Sequence, residues 1–105
     1  MLQLPKNPTL ADVQKYVQEM EKERGFSEYA NMHTAFLLGE ELGELFKAIR
    51  KAEKLRIDKN SKVTSVAEEL ADILIYISSL ATRYGISLEQ AFRDKEEINK
   101  KREWK

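Results

Sequence analysis

The stretch from Val66 to Leu80 constrains this chain more than any other, because Val66, Leu70, Ile73, Leu74, Ile75, Ile77 and Leu80 leave almost no polar side over its middle. A helix of that kind is surrounded by protein. The β-branched run from Ile73 to Ile77 is also compatible with a buried strand. Ser65 with Glu68 forms a capping-box pair ahead of it, however, and Gly85 follows as a left-handed stop, so the segment is assigned to a helix reaching Tyr84. The other helices of one small chain can cover only part of such a surface, which predicts a homodimer at least.

The rest of the chain carries similar punctuation. Thr9 with Asp12 opens a first helix with Leu10, Val13 and Val17 on one face and Gly25 as its stop. A second helix is expected from about Asn31 to about Glu53, with Phe36, Leu38, Leu42, Leu45 and Ile49 at three-to-four spacing, followed by a basic connector from Lys54 to Val63. Ser87 with Gln90 repeats the capping device. It opens a fourth helix carrying Ala91, Phe92 and Ile98 that frays into the terminal KKREWK. Only 4 Gly and 2 Pro interrupt the pattern, and Leu, Ile, Val and Phe together make 27 of 105 residues, enough for a core. The expectation is an all-α chain, a four-helix bundle-like single domain over residues 1–105.

Charge and composition remove several function classes. With 18 Lys+Arg against 18 Asp+Glu the net charge is zero, which argues against a generic binder of nucleic acid or anionic membranes. Zero Cys excludes disulfides, thiolate nucleophiles and iron–sulfur clusters. The amino-terminal MLQLPKNPTL lacks the uninterrupted apolar stretch of an export signal, and no window approaches the roughly 20 apolar residues that a membrane span needs. The cytoplasm is the expected location.

Chemistry enters through an internal echo. EELGELFKAI at Glu40 to Ile49 aligns without gaps to EELADILIYI at Glu68 to Ile77. Each copy places two acids three residues apart on one helix face, Glu41 with Glu44 and Glu69 with Asp72. Such strings are commonplace on solvated faces. Asp72, however, falls amid apolar residues of the most apolar helix, where an unpaired carboxylate costs several kcal/mol. Basic side chains or a metal must compensate. Antiparallel packing of the two helices would set one pair opposite the other in an all-oxygen cage suited to hard divalent cations. Di-iron bundles add Glu-x-x-His pairs, whereas the single histidine, His33, has Ala30 three residues before it, so Mg²⁺ or Mn²⁺ is favoured over iron or zinc. Glu40 and Glu68, the leading acids of the two copies, are candidates for supporting the ligands or acting as general base.

Other features have two readings. Lys95, Asn99 and Arg102 share one face of the fourth helix, either as a positive wall for phosphates or as ordinary basic residues favoured near a helix C-terminus. Lys47 to Lys62 holds seven basic and two acidic residues and reads as a solvated loop. His33 reads as an ordinary helix-start residue. Trp104 suits base stacking and packing against a neighbouring subunit equally well.

EELGE at Glu40–Glu44 and ELAD at Glu69–Asp72 resemble the EExxE and ExxD signature of the all-α NTP pyrophosphatases, the MazG-like family. The resemblance covers most of the chain. It implies a helical bundle assembled as a dimer or dimer of dimers, and Mg²⁺-dependent hydrolysis of a nucleoside triphosphate substrate to the monophosphate and pyrophosphate, in the service of nucleotide-pool house-cleaning. The family's ligand roles carry over to Glu41, Glu44, Glu69 and Asp72. Lys95, Asn99 and Arg102 are similar to its C-terminal phosphate-contacting segment, and Tyr76 matches an aromatic position beside the nucleotide. Many relatives close that segment with Arg-Tyr-Pro, whereas here Glu103 and Trp104 follow Arg102. Two alternatives stand beside this reading: a phosphoribosyl-ATP pyrophosphohydrolase-like enzyme, and a non-catalytic metal-binding helical interaction protein.

Overall fold

In the computed structural model, which describes residues 2–104, helix starts and stops follow local side-chain chemistry closely. Helix α1 (Leu10–Arg24) opens on a reciprocal capping box. The Asp12 N–H donates to the Thr9 hydroxyl at 3.1 Å and the Thr9 N–H donates to the Asp12 carboxylate at 2.9 Å. These bonds hold the Asp12 carboxyl below its ordinary value. Gly25 ends the helix at φ 78°, a left-handed conformation that glycine adopts without steric cost, and a short 3-10 turn, Phe26–Glu28, follows.

Helix α2 (Asn31–Ala52) begins without a side-chain cap, because Ala30 occupies the N-cap position. Its end is better defined. The Lys54 N–H donates to the Lys51 carbonyl at 3.0 Å and the Leu55 N–H to the Arg50 carbonyl at 2.7 Å, a Schellman closure with Lys54 at φ 59°. Helix α3 (Val66–Arg83) starts at the expected Ser65/Glu68 box and stops before Gly85, at φ 68°. Helix α4 (Leu88–Lys100) keeps only half of its expected box. The Gln90 N–H donates to Ser87, but the Gln90 amide instead runs along the helix to Asp94 at 2.8 Å, a bond strengthened by the carboxylate charge.

The described residues divide into two compact units, one holding residues up to Glu28 and from Ser78 onward, the other Tyr29–Ile77. In the first, Val17, Met20 and Ala81 are buried. Gln14 fastens α1 to the start of α4, donating to the Ile86 carbonyl at 2.7 Å and accepting the Leu88 N–H at 2.9 Å. Arg83 is the second fastening. Its guanidinium pairs with Glu21 at 3.3 Å and donates to the Phe26 carbonyl at 2.8 Å and to Ser79 at 3.1 Å.

The second unit buries Thr34, Ala48, Glu69 and Ile73. Within one chain α3 is covered only in part, as its apolar surface predicts: Leu70, Leu74 and Ile77, at i, i+4 and i+7, remain exposed. On α2, Met32, Phe36 and Phe46 are each more than 60 % exposed. Four helices supply too few faces to cover both stripes. Among the described residues, no helix is long and apolar enough to cross a membrane.

Replacing Arg83 with Met is expected to destabilise the chain by about 3 kcal/mol, because it strands the enclosed Glu21 carboxylate and the Phe26 carbonyl together. Urea unfolding measures this. A loss under about 0.5 kcal/mol, the scale of a surface ion pair, would show that water replaces the guanidinium.

Candidate metal centre

The echoed acids meet where α2 and α3 face each other. One carboxylate oxygen from each of Glu41, Glu69 and Asp72 lies within 4.8 Å of the others. Further along α2, Ala48, Lys51 and Ala52 share a cavity of about 440 Å³ with Val66 and Glu68, further back on α3, so the two helices run antiparallel here as the cage requires. Glu69 and Asp72 stand three residues apart on α3, on one face, and Glu41 enters from the middle of α2.

Burial is divided unequally within the group. Glu69 is 4 % exposed, whereas Asp72 keeps access to solvent. Asp72 was the acid expected to be enclosed; the reason for the difference is helical phase. The buried stripe of α3 runs through Glu69 and Ile73, and Asp72 projects from its flank. The Thr64 hydroxyl donates to Glu69 Oε1, while Oε2 is buried with no hydrogen-bond partner.

Three acids at this spacing cannot all ionise freely. Glu41 is pushed up to about 7, chiefly because a protonated Glu41 can turn to donate to the neighbouring Glu69 carboxylate, then by burial and by the charges of Glu69, Asp72 and Glu44. Asp72 is raised by burial first and then by Glu69 and Glu68. Of the two compensations open at the level of sequence, basic side chains are not the one used: among the described residues no Lys or Arg pairs with Glu41, Glu69 or Asp72.

The remaining candidates occupy distinct places. Glu44 lies outside the tight group and pairs with Lys47 at 3.4 Å. Glu40 is exposed. Glu68 is engaged in the α3 cap, accepting the N–H and hydroxyl of Ser65, both at 3.0 Å, which lowers its pKa. Tyr76 is partly buried one turn beyond Asp72. His33 lies edge-on to the Tyr29 ring at 4.7 Å. In the other unit, Lys95 is exposed and Asn99 Oδ1 is buried without a partner. Arg102 lies past the end of α4, its guanidinium 5.0 Å from the centre of the Trp104 ring. The Trp104 indole N–H donates to the Asn99 carbonyl at 2.9 Å. The connector turns at Asp58, which accepts the Asn60 N–H at 3.0 Å, but of the basic stretch expected to form a loop, Lys47, Arg50 and Lys51 lie on α2 and only the part from Lys54 onward is loop.

Residues 30–104 match the profile of the MazG nucleotide pyrophosphohydrolase domain. The chain belongs to that family. The MazG match begins just ahead of α2 and includes both acidic strings. Among curated sequences, the uncharacterized protein YvdC of Bacillus subtilis (strain 168) is 36 % identical over 100 residues, covering 89 % of this chain and 94 % of the relative. The dCTP pyrophosphatase 1 of Rattus norvegicus is 32 % identical over 100 residues, covering 90 % of this chain and 59 % of the relative. Crystal structures of iMazG from Vibrio DAT 722 superpose with a TM-score of 0.66 at 36 % identity. They cover 88 % of this chain and, in the C-terminally tagged form, 98 % of that one.

The raised Glu41 pKa gives a sign for pH dependence. The folded chain binds a proton there that the unfolded chain, near 4.5, has already released. The associated stability is full below about pH 4.5 and is lost as pH rises through about 7. In EDTA at constant ionic strength, the urea midpoint is therefore expected to fall between pH 5 and 8. Glu41→Gln should flatten most of that slope, and an unchanged slope in the variant would contradict the shared proton.

Proposed function

We propose that this chain is a Mg²⁺-dependent nucleoside triphosphate pyrophosphohydrolase, releasing a nucleoside monophosphate and pyrophosphate, with Mn²⁺ as a possible substitute metal. The observation that carries the reading is the antiparallel meeting of Glu41, Glu69 and Asp72 with no basic partner and one buried oxygen of Glu69 unsatisfied. An all-carboxylate donor set fits a hard divalent cation. Glu41, Glu69 and Asp72 would hold it, and Glu44 would join by leaving Lys47. A cation held there would supply charge neutralisation for the triphosphate and a more acidic water as nucleophile.

The protein's own groups do the rest. A carboxylate must take the proton of the attacking water, and Glu40 and Glu68 are the candidates. Glu68 keeps only Oε1 for that proton, because Oε2 accepts both bonds from Ser65, whereas Glu40 is exposed and makes no such bond. Lys95, Asn99 and Arg102 contact phosphate oxygens, and Tyr76 lies beside the nucleoside. The chain acts as one domain on free nucleotides in the cytoplasm. The name of the rat relative makes dCTP the first substrate to try.

Pyrophosphate release from a panel of ribo- and deoxynucleoside triphosphates, dCTP included, tests the activity. Asp72→Asn is expected to lose at least about a hundredfold while keeping its helicity, since an amide is a poor ligand for a hard cation. Orthophosphate in place of pyrophosphate would exclude the proposed bond cleavage, and silence across the panel would favour a non-catalytic protein.

We also assign the exposed stripes of α2 and α3 to contact between copies of the chain, as a dimer or tetramer. Light scattering at micromolar concentration is expected to show no monomer. A stable 12.2 kDa species would overturn the assembly.

A further inference from the structure

The connector enters α3 through Thr64, the residue before the N-cap Ser65, and the Thr64 hydroxyl donates to Oε1 of Glu69. Counted from the cap, Thr64 is N′ and Glu69 is N4. These are the two positions at which a helix start often carries an apolar staple that fixes the angle of entry. Here both members are polar, and the N4 member is a carboxylate only 4 % exposed. An apolar pair would staple the helix equally well without enclosing a charge. The first turn is in any case already closed by the Ser65/Glu68 box. Starting the helix is therefore not what this polar staple contributes.

Its effect is on the carboxylate itself. With Oε1 committed to the Thr64 hydroxyl, Oε2 is the oxygen of Glu69 left buried and without a donor. Carboxylates that ligate a cation need such outside bonds to hold their orientation, and losing one typically weakens metal binding by about 10- to 100-fold. The sequence contains the whole device in six consecutive residues, Thr64 to Glu69. Ser65 and Glu68 cap the helix while Thr64 and Glu69 staple it.

We propose that Thr64 is a positioning residue for the divalent cation, its hydroxyl locking Glu69 so that Oε2 is the ligand oxygen. This rests on the metal reading given above. It also makes Thr64 part of the site, although it precedes the helix and carries no acid.

Titrating Mn²⁺ into the full chain and following free Mn²⁺ by electron paramagnetic resonance, at matched ionic strength, tests the proposal without any turnover. Glu69→Gln is expected to abolish saturable binding. Thr64→Val, which keeps the shape and removes the donor, should weaken binding about tenfold, as should Thr64→Ala. Thr64→Ser, which restores the hydroxyl, should return to within about twofold of the parent. Helicity by circular dichroism in EDTA should stay unchanged for Thr64→Val, which separates positioning of the ligand from support of the helix. The unfolding midpoint should fall, because the enclosed Glu69 carboxylate loses its donor. Parent-like Mn²⁺ affinity in Thr64→Val, with Glu69→Gln inactive in binding, would overturn the role of Thr64 and leave the metal site standing. Equal weakening in Thr64→Ser and Thr64→Val, tracking a loss of helicity in EDTA, would also overturn it. Mn²⁺ binding indifferent to Glu69→Gln would overturn the metal site and this proposal together.

Discussion

Uncompensated negative charge between two helices is the constraint on which the second unit turns. Glu41, Glu69 and Asp72 come together with no basic partner among the described residues, although exposed cations are plentiful along the connector. A chain selected only for stability would place a Lys or Arg among these acids, or replace Glu69 with an apolar residue in phase with Ile73. Helix α3 instead spends its most enclosed early position on a carboxylate. The shared proton that raises Glu41 expresses the same imbalance, which a bound cation would relieve.

Around that imbalance the supporting elements are conservative. Reciprocal caps close the starts of α1 and α3, and left-handed residues terminate α1, α2 and α3. Belonging to the MazG family therefore shows in the acids that the helices carry, while the helices themselves obey rules any bundle obeys. Lys54 is the exception among the terminators. A non-glycine residue at positive φ costs about 1 kcal/mol, and the two Schellman bonds that it permits offset that cost.

The helices were legible in the sequence because their boundaries are local events. Thr9, Gly25, Ser65 and Gly85 act on neighbours within a few residues, so spacing alone placed every helix end within a residue or so. The echo of EELGE and EELAD was legible for the same reason, and it brought the right helices together. Which acid is enclosed was not legible. That depends on the rotation of α3 against its neighbours, a tertiary quantity that an almost uniformly apolar helix does not encode in its own period. Gln90 shows a smaller version of the problem: its pattern fits a capping box, but a carboxylate four residues on competes for the same amide. The Thr64 staple is not legible in the sequence, because threonine beside a cap is ordinary turn chemistry and only the burial of Glu69 distinguishes it.

The end of the chain offers an opportunity of a different kind. Trp104 is the single tryptophan, and its indole is tied to the Asn99 carbonyl and overlain by the Arg102 guanidinium. Indole emission is sensitive both to a hydrogen bond at nitrogen and to a cation over the ring. The protein thus carries a built-in optical reporter of one short segment, undiluted by any other indole. A change in its emission wavelength during a titration can be read as rearrangement at Asn99 and Arg102, with no label attached and no residue altered.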